Sequence, residues 1–533
     1  MKPVKEGDGG AKGPSALRSA GQVSGLILVS RVLGVVREQV FAALMGAGMH
    51  ADAYQIGFRI PNLLRDLFAE GALSAAFVPT YARTAREEGR EAAQRLASRV
   101  LTLLGAIVGV LVILAILLAA PLVTALAPGF EAVPGKRDLT VLLTRIMLPF
   151  LFLVSCAAVA MGMLNAEERY AAPALAPAMF NVVAIVVGIA LWGLGFSLEQ
   201  VAIGWAVGTL LGGVAQFLIQ VPPLRAQGFR FRAEWAPGDP GMRQIAALMG
   251  PATAGLAAVQ INIFVNSIFA SQDPGAVSWL NYAFRILYLP IGLFGVAAGT
   301  VAATGLARRA ADNDMDGLRD TLRRSLRMLA FLTIPASVGL LVLGVPIVRL
   351  LFERGRFTAH DTAQTAVALT CYGAGLLAYA AVKVLAPAFY ALASPRVPLA
   401  ASVFAVLTNL VLNLTLYERL GFRSVALGTS LGALVNALVL VVCFEKRIGG
   451  LFREGFGRAL GLMAAAAALM APLAFAAAAG LERVVGSDGF AAQAITALPP
   501  IGLGVLVYFG ASRALGLPET AKLMGALRRK PRG

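Results

Sequence analysis

Apolar runs of about 20 residues recur along almost the whole chain, separated by Gly, Pro and charged residues. They divide it into fourteen candidate membrane-crossing helices, at 18–46, 51–82, 93–126, 138–164, 170–193, 198–221, 243–271, 275–306, 318–348, 361–390, 396–417, 423–445, 457–480 and 490–514. The pattern predicts an all-α polytopic membrane protein. Composition points the same way: of 533 residues, 58% are hydrophobic and only 14% charged, where a soluble chain carries about 25% charged residues. Residues 1–16 have no apolar core of their own, so they read as a disordered cytoplasmic tail and not as a signal peptide. Residues 516–533 read as a basic cytoplasmic tail.

The net charge of +17 would suggest nucleic acid in a soluble protein. Here the positive-inside rule accounts for it, and no nucleic-acid partner is expected. With the N-terminus in the cytoplasm, 30 of the 46 Lys and Arg residues fall in cytoplasmic segments and 8 in external loops. The segment 308–327, with six arginines, is a strong cytoplasmic anchor. The external loop 349–361 is an exception, with Arg349, Arg354 and Arg356. Both termini are expected in the cytoplasm. Cys156, Cys371 and Cys443 are widely separated within apolar spans and suggest neither a disulfide framework nor a metal cluster. His50 and His360 lie near span ends and read as interfacial polar residues.

The chain resembles itself at an offset of 226. Phe58-Arg59-Ile60 recurs as Phe284-Arg285-Ile286, Leu67-Phe68 as Leu293-Phe294, and Leu194-Gly195-Phe196 as Leu420-Gly421-Phe422. Six spans per copy is an even number, so the copies enter the membrane in the same sense. The expected architecture is two parallel six-helix lobes around a central cavity, 17–222 and 223–447. Two further helices occupy 448–515.

Charge inside the spans sharpens this. Arg31, Arg37, Arg59 and Arg65 lie in the first two spans, and Arg285 lies in span 8. A guanidinium stays charged when buried, and at a bilayer midplane each costs roughly 2.5 kcal/mol or more. Arg31, Gly34 and Glu38 follow the spacing of one helix face, as do Arg59, Asn62, Asp66 and Glu70. Pro61 is expected to kink or break span 2 near Arg59. Five arginines against Glu38, Asp66 and Glu70 leave an excess of positive charge, to which Arg145, Arg99 and Lys383 are weaker additions. Guanidinium forks match phosphate and carboxylate oxygens. The set therefore predicts a wet, basic cavity for an anion, and a helix-stapling salt-bridge network is the plainer alternative.

At these residues the chain resembles the MurJ (MviN) family of lipid II flippases, in the MOP transporter superfamily. The resemblance rests on SRVLGVVRE at 30–38, GAGMHADAY at 46–54, RIPNLLRDLFAEGALSAAFVP at 59–79, VSWLNYAFR at 277–285, GRFTAHD at 355–361 and KVLAPAFY at 383–390. It implies a multi-pass protein of the bacterial cytoplasmic (inner) membrane. That protein would carry the undecaprenyl-diphosphate-linked peptidoglycan precursor from the inner to the outer leaflet by alternating access. By resemblance Arg31, Arg37, Arg65 and Arg285 match substrate-binding arginines, Asp52 matches a functional acid at the outer end of span 2, and spans 13–14 form a groove for the lipid tail. Glu38, Arg59, Asn62, Asp66, Glu70 and Lys383 would support the cavity. Candidate partners are lipid II, membrane lipids and cell-wall synthases.

No cofactor is implied. The membrane potential, negative inside, favours outward movement of an anion, and the coupling ion is left open. Some relatives carry acids around the span 8 arginine, where this chain has Phe284 and Tyr288. Some bind sodium through acids in the second lobe, whereas span 7 here has none and span 11 offers Asn409 and Asn413. The alternatives are a flippase for another lipid-linked oligosaccharide, or a multidrug exporter, which for cationic drugs would need an acidic cavity. An enzyme acting on a lipid diphosphate would need a base or metal ligands beside the arginines, and only Glu38, Asp52, Asp66 and Glu70 are on offer.

Overall fold

The computed structural model describes residues 14–66, 72–452 and 455–528, and the secondary structure among them is helical. A first series comprises α1 (Pro14–Met45), α2 (Met49–Arg65), α3 (Ala72–Glu87), α4 (Arg90–Leu117), α5 (Ala119–Leu126), α6 (Lys136–Met147), α7 (Phe150–Ala166), α8 (Ala171–Gly193) and α9 (Leu198–Leu218). The short α10 (Val221–Ala226) closes it. A second series follows: α11 (Pro240–Ala270), α12 (Ala276–Pro290), α13 (Ala297–Ala311), α14 (Met315–Val342), α15 (Gly344–Phe352), α16 (Ala359–Gly373), α17 (Leu376–Ala391), α18 (Arg396–Leu420) and α19 (Arg423–Arg447). Then come α20 (Phe456–Val485), α21 (Gly489–Ala514) and α22 (Pro518–Arg528).

Every helix from α1 to α9 recurs in α11 to α19, and each start lies within three residues of the 226 offset. The irregularities recur as well. The break at Leu148–Pro149 between α6 and α7 matches Ala374–Gly375, where α16 and α17 meet at 44°. The π-type residue Asp66 after α2 matches the π-helical turn Ile291–Val296 after α12. A few scattered tripeptides thus reflect a duplication of the whole helix series, down to its breaks.

By length and composition, ten helices among the described residues are able to cross a membrane, and the bent pair α16–α17 makes eleven. The expected fourteen is not reached by that criterion. Spans 1, 2 and 7 are missing from it; spans 1 and 2 carry the charge, and 67–71 and the side chains of 250–259 lie outside the described residues. Pro61 does not break its helix. It sits inside α2, which continues to Arg65 before the irregular residue 66. A proline removes one N–H bond and crowds one carbonyl, that of Gly57 here, and a single such loss bends a helix without ending it.

Two compact units are distinguished. The first holds residues up to Leu44 with Ile56–Val123 and Asp138–Leu256; the second holds Met45–Gln55, Thr124–Arg137 and Ala257–Gly533. This grouping does not follow the repeat boundary, because α2 gives Met49–Gln55 and α6 gives Lys136 and Arg137 to the second unit and the rest to the first.

In the first unit, Leu73, Phe77 and Tyr81 of α3 pack with Leu96 of α4 and with Met163 and Leu164 of α7. Lipid tails are as apolar as these side chains, so close packing of small residues holds helices together in a bilayer. Gly212 of α9 shows this: an added Cβ would lie 2.7 Å from the Phe180 ring of α8.

In the second unit, Leu306, Leu318, Leu322, Phe389 and Phe444 form one core. Phe331, Met463 and Tyr508 bring α20 and α21 onto α14, where the Tyr508 hydroxyl donates to the Phe331 carbonyl at 2.9 Å. Two of the three arginines at 349–361 are used internally, and Arg356 is exposed. Arg349 pairs with Glu482 and Glu353, and Arg354 donates to the Leu350 and Leu351 carbonyls beneath the Phe490 ring. Such groups satisfy the fold and carry little topological signal. Part of the expected basic tail is also structured: α22 is pinned by Glu519, almost fully buried, which accepts from Arg327 at 2.7 Å.

Candidate functional site

In the first unit the long α1 carries Arg31 as an exposed side chain and, two turns on, the buried Glu38. Arg37 pairs with Glu38 at 2.5 Å and lays its guanidinium over the Phe180 ring, 5.1 Å from the centroid. Asn181 of α8 donates to the Ser30 carbonyl at 3.2 Å, fixing α1 beside Arg31. On α2, Arg59 and Asn62 are half-buried, and among the described residues the buried Asn62 Oδ1 has no hydrogen-bond partner. Arg65 donates to Asp66 from Nε and Nη2 at 3.3 and 3.0 Å. Glu70 lies outside the described residues. The acids that pair with Arg37 and Arg65 are therefore their next neighbours in sequence, and both pairs keep some exposure.

In the second unit the central feature is Asp52, with no exposed surface. Its Oδ1 accepts from the Ser278 N–H at 2.9 Å and the Ser278 hydroxyl at 2.7 Å. Its Oδ2 accepts from the Gly275 N–H at 2.8 Å and from Lys136 Nζ at 2.7 Å. Four donors fill the capacity of a carboxylate. Gly275 has φ 90°, a backbone that side chains resist, and α12 has no side-chain cap of its own. Asp52 supplies that cap from α2, with its charge at the positive end of α12. Lys136, also buried, rests against the Phe130 ring at 4.1 Å.

One turn further along, Asn281 donates to Gln55 Oε1 at 3.0 Å and accepts from Arg285 Nε at 3.2 Å. The Tyr282 hydroxyl donates to the Gly46 carbonyl at 3.0 Å. Asp52 with Ser278, and Gln55 with Asn281, are both separated by 226 residues. Each of these residues therefore touches its own repeat-equivalent. Arg285 is exposed and stands inside the continuous helical run Ala276–Ala311, which is long enough to span a membrane. Lys383 on α17 is exposed, and its carbonyl backs onto Gly299 of α13.

A second polar group lies deeper in the same unit. Asn409 donates to Asn262 and Asn266, both at 2.7 Å; Asn413 donates to Asn409; the Ser424 hydroxyl donates to Asn413 Oδ1; and Asn266 donates to Thr429. Each amide is engaged by a neighbouring amide or hydroxyl, and no carboxylate joins them. This neutral donor set does not fit a sodium site built on acids. Among the described residues no group of three or more His, Cys, Asp or Glu could hold a metal ion.

The sequence pointed to Asp52 but not to its partners. Lys136 lies between two candidate spans, and Gln55, Ser278 and Asn281 carry no charge to draw the eye. The 226 offset was the available signal, because it pairs 52 with 278 and 55 with 281.

Comparison with known proteins follows this geometry. The family described as Lipid II flippase MurJ matches residues 41–486. A probable lipid II flippase MurJ of Vibrio cholerae serotype O1 is 36% identical over 432 residues, covering 80% of this chain and 82% of that protein. A probable lipid II flippase MurJ of Rhizobium meliloti is 34% identical over 526 residues, 97% of each. Among solved structures, a lipid II flippase MurJ in an inward closed conformation aligns with a TM-score of 0.75 at 26% identity, covering 92% of this chain and 98% of that one. An inward-facing MATE-family transporter of the MOP superfamily aligns at 0.67 with 20% identity, covering 79% of this chain and 95% of its own, a likeness of fold alone.

Proposed function

Because the chain belongs to the lipid II flippase MurJ family, we propose that arginines of α1, α2 and α12 bind the diphosphate of lipid II during its passage across the membrane. The protein is a lipid II flippase of the bacterial inner membrane, a multi-pass transporter and not an enzyme. Its substrate keeps all its bonds. What the protein must supply is a route through the bilayer for a charged headgroup that cannot cross lipid unaided.

The observation that carries the arginine reading is the exposure of Arg285 inside a helical run apolar and long enough to span a membrane, together with that of Arg31 in the middle of the 32-residue α1. A guanidinium facing lipid there is strongly unfavourable. The same group facing water is a diphosphate receptor, because its planar fork meets two phosphate oxygens at once. Arg37 and Arg65, held by Glu38 and Asp66, are stabilised without substrate and can exchange a carboxylate for a phosphate oxygen.

The proposed cycle is alternating access. In it Asp52 is the outer latch: it holds the first turn of α2 against the first turn of α12, and opening outward requires its four bonds to be given up. No residue step draws on ATP or a metal. The driving force proposed is the membrane potential, about 2.3 kcal/mol per charge per 100 mV. Loop charge supports a cytoplasmic location for both termini, and cell-wall synthases are the proposed protein partners.

The test is complementation in cells depleted of their own flippase. Arg31→Ala, Arg37→Ala, Arg65→Ala and Arg285→Ala should reach the membrane at normal levels and fail to restore growth. Full rescue by all four would overturn the arginine assignment. Flipping of labelled lipid II in vesicles under an imposed potential tests the driving force, which an unchanged rate at zero and at reversed potential would exclude.

A further inference from the structure

We propose that residues 225–243, between α10 and the start of α11, form a binding strap for anionic phospholipid at the cytoplasmic membrane surface. The proposal rests on the loop-charge topology for its sidedness, and the test below does not depend on that sidedness.

Residues 229–236 run without helix. A chain of that kind is usually mobile, yet this one is tied along α4 at successive points. Gln94 donates to the Gln227 carbonyl at 3.3 Å. The Glu234 N–H donates to the Thr102 hydroxyl at 3.2 Å, and the Arg232 N–H to the Ser98 hydroxyl at 3.5 Å. Arg99 closes the strap with two ion pairs, to Glu234 at 3.0 Å and to Asp239 at 2.5 Å. Phe229 is buried in the first unit's core.

What the strap presents outward is unusual for a loop held so firmly. Phe231 is 56% and Trp235 65% exposed. Arg225, Arg230, Arg232 and Arg243 are exposed around them. Arg99 pairs with both of the strap's carboxylates, Glu234 and Asp239, and with the four exposed arginines it outnumbers them, so the surface is net positive. Large aromatics beside arginines, on a backbone fixed to a membrane-crossing helix, match the headgroup zone, where a ring sits at the apolar boundary and a guanidinium reaches lipid phosphate. Arg99, from sequence a weaker addition to the cavity charge, is the clamp that holds this surface in place.

The experiment uses the full chain in vesicles with dansyl-labelled lipid in both leaflets. The signal of Trp235 is taken as the difference between the wild type and Trp235→Phe. Energy transfer from Trp235 should be stronger to dansyl-phosphatidylglycerol than to dansyl-phosphatidylcholine. Arg230→Ser with Arg232→Ser should weaken that preference by about 25-fold, at roughly fivefold per arginine near an anionic surface, with lipid II flipping retained as the control for folding. Equal transfer to both lipids would overturn the proposal. So would a preference that survives removal of both arginines, or one abolished by excess inorganic phosphate, which would mark a free-anion site. Loss of flipping in the Arg31→Ala protein with the lipid preference intact would bear on the transport site alone, so the two readings fail separately.

Discussion

The two repeats share one backbone plan and differ in where they place polarity. Position by position at the 226 offset, Arg31, Arg37 and Glu38 of α1 correspond to Ala257, Ile263 and Phe264 of α11, and Arg65 corresponds to Ile291. Only Arg59 keeps its charge, as Arg285. The reverse holds elsewhere. Asn262, Asn266, Asn409, Asn413 and Thr429 of the second repeat replace Val36, Val40, Val183, Val187 and Ile203 of the first. One copy therefore carries more ionised groups inside its helices, and the other is stitched internally by neutral amides. The shared fold survives both because it depends on helix lengths, breaks and close-packed small residues. The chemistry rests on a handful of positions that the fold tolerates in either state.

The comparison can be broken most severely at the repeat-equivalent arginines. Arg285→Ala should abolish complementation, while Arg59→Ala should support growth, measured side by side at equal expression. Equal loss for both would mean that the copies contribute alike. The loss of a hydrogen bond to a charged group, about 1.5–3 kcal/mol, already lowers a rate roughly 10- to 150-fold.

Next comes the buried pair of Asp52 and Lys136. Lys136→Met leaves the Asp52 carboxylate buried without its cation and should cost about 3–5 kcal/mol, read as a large fall in Tm of the purified protein. Asp52→Asn combined with Lys136→Met should recover part of that loss. No recovery would show that the two groups act independently.

Smaller is the effect of exchanging polarity between copies. Asn409→Val strands the acceptors of Asn262 and Asn266 and should cost about 1–3 kcal/mol. Replacing the four asparagines together by valine, as in the first repeat, should cost less than the single change. If the fourfold variant is the less stable, the amide network stabilises the unit beyond satisfying itself.

The smallest effect lies at the start of α14. The Gly317 N–H, with Arg309 beside it, holds the Asp314 carboxyl below its usual pKa. A lowered folded-state pKa stabilises the fold above the unfolded value, near 3.9, and that contribution fades as pH falls through the folded one. Asp314→Ala should thus lower Tm slightly at neutral pH and converge with the wild type in acid. A constant difference at all pH values would assign the effect to helix propensity.

The sequence by itself determined the class of the molecule, because bilayer thickness fixes how long an apolar run must be. It also determined the duplication, since an offset of 226 is a property of the chain. It marked which residues are electrically out of place, Arg31, Arg37, Arg59, Arg65 and Arg285, and the family resemblance added Asp52. Tertiary structure decided what those charges meet. Lys136 and Ser278 reach Asp52 from 84 and 226 residues away, and Arg99 meets Glu234 and Asp239 from more than 130. Periodicity along a helix reports which face a side chain occupies and says nothing of which distant helix that face is pressed against. Pro61 shows the same limit locally: its ring and missing donor are visible in sequence, but whether the helix ends or only bends depends on the packing that surrounds it.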